Sequence, residues 1–138
     1  MSKVNADNAP DPVGSYPHAR RVGNLLYLSG VGPRKKGSSE IPGVVLDAKG
    51  NIVSHDIEQQ CHSVFQNVRN ILEASGSNWD SLVDVTVFLT DMKGDFPTFN
   101  KIYGEYFQKN QPCRTTVEVN ALPTPIAIEL KCIATIGS

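Results

Sequence analysis

A chain of 138 residues with 40% hydrophobic and 20% charged side chains is long enough to bury one core and too short for two domains of ordinary size. Its 13 Lys and Arg against 14 Asp and Glu leave a net charge of −1, with positive charge grouped only at Arg20-Arg21 and Arg34-Lys35-Lys36; this argues against nucleic acid as a partner. No apolar run approaches the ~18 residues of a membrane span, no signal-type apolar stretch opens the chain, and the three cysteines lack framework spacing, so a single soluble cytoplasmic domain is expected.

Residues 1–12 are polar and broken by Pro10 and Pro12, the composition of an extended lead-in. Tyr16 precedes Pro17, which biases it to extended backbone; the residue fits either a core edge or the wall of a pocket that presents its hydroxyl. Residues 18–22 and 25–29 flank Gly23-Asn24 as in a two-residue hairpin. Leu25-Leu26-Tyr27-Leu28 has the pattern of a strand covered on both faces. Ser29 follows it in Ser29-Gly30-Val31-Gly32-Pro33. No Gly-x-Ser-x-Gly elbow surrounds Ser29, so it is not a nucleophile. The two glycines open no helix and do not form a dinucleotide loop.

Residues 34–40 read as a mobile polar loop, and 41–53 as two short strands around Asp47-Ala48-Lys49-Gly50. A helix is expected from Ser54 or His55 to Ser75, because Ile57, Cys61, Val64, Phe65, Val68, Ile71 and Leu72 recur at helical spacing and Gly76 supplies a stop. His55 and His62 then share one helix face. Lacking a third ligand at metal spacing, they read as surface or capping residues, and no metal site is assigned. Residues 82–90 alternate as a strand does, Val85, Val87 and Leu89 against Asp84, Thr86 and Phe88. Asp95 is expected to cap a second helix whose aromatic stripe, including Phe96, Phe99, Tyr103 and Phe107, packs on a sheet.

The most informative stretch is Gln111–Glu129. Arg114 opens the β-branched run Thr115-Thr116-Val117, Leu122-Pro123-Thr124-Pro125 makes a turn, and a strand from Ile126 to Ile136 carries Glu129 near its start. Read as a hairpin, this sets a guanidinium and a carboxylate on neighbouring strands. They are either a structural ion pair or two solvated charges at strand ends, or else a fork for a substrate carboxylate beside a group that handles a proton or a water. The order of elements gives an α+β fold, one mixed sheet with two helices packed on one face. The other face needs a cover. Leu26, Val85, Val87, Val117, Val119, Ile126 and Ile128 are expected there, which favours an oligomer.

Pro112, Arg114, Val117, Leu122, Ile128 and Glu129 resemble the arginine signature of the YjgF/YER057c/UK114 family, the Rid family of enamine and imine deaminases. The resemblance runs from Asn8-Ala9-Pro10 to the last strand. Thr116 stands where the family often has a small residue or Cys, and Asn120 replaces a small or basic one; Arg114 and Glu129 are kept. The resemblance implies a chorismate mutase-like fold and a homotrimer around a central β-barrel, with active sites between subunits. It also implies no cofactor and a small-molecule carboxylate as substrate. Arg114 and Glu129 would be catalytic. Tyr16, Ser29, Asn100 and Thr116 would bind substrate, Ser29 as a hydrogen-bond donor. Ile41-Pro42-Gly43-Val44 followed by Asp56-Ile57-x-x-Gln60-Cys61 resembles the 2-aminomuconate deaminase branch, with residues 34–53 as its insertion and Arg34, Lys35 and Lys36 as candidates for a second substrate carboxylate. The expected reaction is hydrolysis of 2-aminomuconate to the 2-hydroxy or 2-oxo acid and ammonia. The alternatives are a general deaminase of 2-aminoacrylate-type imines and a non-catalytic 2-oxo acid binder.

Overall fold

The computed structural model describes residues 2–38 and 40–137. The chain runs through β1 (Ser2–Val4), β2 (Ala19–Val22), β3 (Leu25–Leu28), β4 (Val44–Leu46), β5 (Ile52–His55), α1 (Ile57–Ala74), a single 3₁₀ turn (Trp79–Ser81), β6 (Leu82–Leu89), α2 (Met92–Tyr106), β7 (Cys113–Glu118) and β8 (Ile128–Thr135). Each boundary has a local cause. Gly23 turns β2 into β3 at φ 61°, in the left-handed region that a side chain disfavours. The Asp56 carboxylate accepts the Glu58 and Gln59 N–H groups and caps α1. At its other end Gly76 N–H bonds Glu73 O and Ser77 N–H bonds Leu72 O, the double closure of a Schellman stop.

Two helix starts differ from expectation. β5 continues through His55, so α1 begins two residues later and the two histidines do not share a helix. The helix starts only after Asp56, whose carboxylate accepts the first free N–H groups. α2 is capped by Asp91, whose side chain accepts Gly94 N–H; Asp95 sits inside the first turn, buried against His55. An acidic residue at either position satisfies the pattern, and tertiary contact chose between them.

The main sheet has the order β1-β2-β3-β8-β6-β7, and β4 and β5 form a separate two-stranded ribbon. β6 and β7 are parallel, since α2 carries the chain back across the sheet between them; the other pairings are antiparallel. The expected β7–β8 hairpin does not form, because β6 lies between the two strands. Residues 119–127 span the end of β6, which holds both sides of the connection: Val119 N–H bonds Leu89 O, and Thr90 N–H bonds Ala127 O.

Both helices cover one face. Leu26, Leu28, Val85, Val87, Leu89, Ile128, Leu130, Cys132 and Ala134 point into it and are buried with Phe65, Val68, Ile71, Leu72, Phe99 and Tyr103. The expectation that Leu26, Val85, Val87 and Ile128 line the uncovered face is therefore wrong. Alternation separates two faces without saying which one the helices take. The uncovered face carries Leu25, Tyr27, Phe88, Thr86, Val117 and Ile133, with Glu129 and Lys131 among them.

Candidate active site

Register decides where each expected site residue points. Arg114 pairs with Val85 and Thr116 with Val87, so both lie on the helix-covered side of the edge strand β7. There the Arg114 guanidinium donates to Asn100 Oδ1 of α2 at 2.9 Å and stands 4.7 Å from the centroid of the Tyr103 ring and 5.5 Å from that of Phe99. The aromatic faces attract the cation and Asn100 fixes the plane of the fork. The remaining N–H groups stay available to a carboxylate. Two hydroxyls border this half-site without a hydrogen-bond partner among the described residues, Thr116 Oγ1 and Tyr103 OH. Burial pushes the Tyr103 phenol up to about 12 even with Arg114 beside it, so it stays a donor at neutral pH.

Glu129 pairs with Phe88 and points to the opposite face. It sits in an open groove of about 380 Å³ that Tyr16, Ser29, Arg34, Ile126 and Lys131 also line. Burial raises its pKa above the usual carboxylate range. Gly30 lies against it: a Cβ built on Gly30 would be 2.6 Å from Oε2. Ser29 Oγ donates to Pro17 O at 2.7 Å, so it offers the groove an acceptor rather than the donor expected of it. The Tyr16 hydroxyl accepts Val13 N–H at 3.3 Å and keeps its own proton for a partner.

The structure thus gathers the expected residues into two groups: Arg114, Asn100 and Thr116 on one face, Tyr16, Ser29 and Glu129 on the other. Within one chain these groups do not meet. The sequence reading missed three residues that hold the groove together. His18 Nδ1 accepts Ala6 N–H at 2.7 Å, so its Nε2 carries the proton donated to Pro10 O at 2.7 Å; this buried ring ties down the segment bearing Tyr16. Asn67 of α1 donates to Gly32 O and Arg34 O, at 2.9 and 2.8 Å. Gly30 was read only for a dinucleotide loop it does not make. A buried Asn on the α1 apolar stripe was the one available signal, since such an amide needs backbone partners.

Comparison with known proteins places this geometry in a family. A family model described as Endoribonuclease L-PSP matches residues 6–136. A RutC family protein of Pyrococcus horikoshii is 40% identical over 132 residues, covering 95% of this chain and 94% of that protein. The chloroplastic Reactive Intermediate Deaminase A of Arabidopsis thaliana is 38% identical over 133 residues, 96% of this chain and 65% of that protein. Among solved structures, E. coli TdcF with bound serine superposes with a TM-score of 0.84 at 27% identity, covering 99% of this chain and 100% of that one. With the arginine signature intact and the match running almost end to end, the chain belongs to the Endoribonuclease L-PSP family, the YjgF or Rid family.

Proposed function

We propose that the protein is a cofactor-independent hydrolytic deaminase of enamines and imines that carry a carboxylate beside the reacting carbon. The observation that carries this reading is the pairing of functions on β7 and β8: a guanidinium held as a fork by Asn100, and a half-buried acid with a raised pKa. Arg114 would hold the substrate carboxylate through two parallel hydrogen bonds. The enamine tautomerises to an imine. Glu129 takes a proton from water as its oxygen adds to the imine carbon. It passes that proton to the nitrogen to give a carbinolamine. Glu129 then relays the carbinolamine hydroxyl proton to the same nitrogen as the C–N bond breaks and the C=O bond forms, releasing ammonia and leaving a 2-oxo acid. Acid–base help of this kind contributes ~10²–10⁴ in rate, which is enough for a reactive substrate.

The Arabidopsis relative's being named a reactive intermediate deaminase supports the reaction, and the serine bound to TdcF, an amino acid with an α-carboxylate, supports a small carboxylate ligand. A net charge of −1 offers little counterion release to an RNA backbone, despite the family's description. Arg114 and Glu129 face opposite ways within a chain, so the complete site is one that two copies share, in keeping with a trimer. The general 2-aminoacrylate-type activity is the better supported substrate reading; 2-aminomuconate is the narrower one and rests on the segment 34–53.

Ammonia release from generated 2-aminoacrylate and 2-aminomuconate, run side by side, tests the reaction. Turnover of either one is expected in wild type. Arg114→Ala should remove saturable binding of 2-oxobutyrate, and Glu129→Gln should keep that binding while lowering turnover by ~10²–10⁴. Binding without turnover in wild type would leave a 2-oxo acid sensor and overturn the enzyme reading.

A further inference from the structure

The segment that brings Tyr16 to the Glu129 groove is a strap closed at its base. β1 and β2 pair at Val4↔Ala19, so the chain leaves the sheet and returns to it at one point. Between these residues Ala6, Ala9 and His18 are buried, and the other side chains are exposed or half-exposed. Side chains from outside hold the strap at intervals. Asn70 of α1 donates to Asn8 O at 3.2 Å, Arg34 to Asp11 O at 2.7 Å, and Lys36 meets the Asp11 carboxylate at 2.8 Å.

His18 grips the strap from within, at two separate turns. Ala6 N–H donates to Nδ1 and Nε2–H donates to Pro10 O, both at 2.7 Å, and the ring is 7% exposed. The first of these bonds fixes the form of the ring. A backbone N–H can only donate, so Nδ1 must present its lone pair and the imidazole is neutral. A second proton would go to Nδ1, the atom that Ala6 faces, and would set one buried N–H against another. Nε2 would keep its bond to Pro10, so the conflict falls on Ala6.

The surroundings permit this change. A cavity of about 40 Å³ separates the ring from Tyr16, Ser29 and Gly30, so the strap has room to shift. Two charged groups border the same cavity, Asp11 of the strap and Arg34 of the segment after β3, while α1 contributes only the uncharged Ile71. The hydrogen bond from Lys36 holds the Asp11 carboxyl below its ordinary range, so it stays ionised through neutrality and favours a proton on His18. Arg34 opposes that proton.

We propose that His18 is an acid-sensitive clasp: neutral, it holds the strap and with it Tyr16 against the groove, and a second proton on the ring releases both. Acid then removes one wall of the groove without altering Glu129 or Arg114 directly. The clasp is a property of the strap and does not depend on what the groove turns over.

Nitrogen NMR of the His18 ring and amide hydrogen exchange, followed in one sample from about pH 8 to about pH 5, cover the range in which histidine changes charge. Nδ1 should pass from a lone-pair nitrogen to a protonated one. Protection of the Ala6 amide, corrected for the intrinsic pH dependence of exchange, should fall about tenfold with the same midpoint, the worth of one buried hydrogen bond. Ala9 and Val13, whose amides bond within the strap, should follow, while α1 keeps its protection. His18→Asn sets an amide oxygen near the Nδ1 position, where it accepts Ala6 N–H and does not titrate, so protection at Ala6 should stay flat. A ring that remains singly protonated at the acid end overturns the clasp, as does Ala6 protection that ignores the ring. An acid loss that persists in His18→Asn overturns it too. If that variant does not fold, the wild-type titration decides alone, because ring and amide are read together.

Discussion

Glu129 shows what a single residue's surroundings decide. Its carboxylate is half-buried and has Gly30 against it, where any side chain would meet Oε2 at 2.6 Å. Gly30 is not among the glycines of positive φ, so alanine is tolerated by the backbone and objectionable only to the carboxylate. Gly30→Ala should therefore leave the thermal midpoint near that of wild type and lower kcat about 10²-fold, the usual cost of shifting a reacting group by ~1 Å; steady-state ammonia release against a melting curve reads both. The same burial has a consequence for pH. A carboxyl raised above its unfolded value holds its proton more tightly in the folded state, so its favourable contribution is complete below the unfolded pKa and is lost as pH rises through the folded one. Glu129→Gln removes that loss. It should be inactive and yet more stable than wild type at neutral pH, with the two converging in acid; urea denaturation at two pH values tests the sign. Activity should also fall on the acid side at a higher pH than a free carboxylate would give.

The elements differ in how far the sequence disclosed them. α1 was plain because its apolar positions repeat every three to four residues and its glycine stop closes the last carbonyls, both local facts. The β2–β3 hairpin was plain for the same reason. Strand order was not, because it depends on which side of β6 each later strand takes. β7 and β8 are consecutive, and the adjacent pairing suggested by that order gives way to the crossover through α2. The groove was legible only as residue types: Glu129, Tyr16 and Ser29 were identified, while the register irregularity between β3 and β8 that leaves the Leu28 carbonyl to the Lys131 ammonium has no sequence signature. Gln60 joins these levels. It is fully buried on α1, and its Oε1 accepts Ala127 N–H at 2.8 Å, just before the strand that carries Glu129. Gln60→Leu fills much of the same volume but strands a buried N–H, so a loss of about 1–3 kcal/mol is expected from urea unfolding. Hydrogen exchange should quicken first at residues 126–128 if the bond does what its position indicates.

At the scale of the whole molecule, the sheet has one dry face and one face that a single chain leaves open. Leu25, Tyr27 and Val117 are 37–38% exposed on that open face, and Glu129 shares it, while Arg114 faces the helices from the edge strand. A site that uses both residues is incomplete in one copy, and on the proposed reading a second copy would complete it by bringing its β7 edge to the groove. Such an arrangement predicts complementation. Arg114→Ala and Glu129→Gln should each be inactive alone, since every site in either assembly lacks one member. Unfolded together in equal amounts and refolded, they would assemble at random, and about a quarter of the shared sites would combine an intact Arg114 from one variant with an intact Glu129 from the other. Ammonia release should then return to roughly a quarter of the wild-type rate per site. If both residues serve one site within a single chain, no mixed assembly contains an intact pair and the refolded mixture stays as inactive as its parts. Mixing without unfolding supplies the control: activity should appear only as fast as subunits exchange, which separates a shared site from a trace of contaminating wild type.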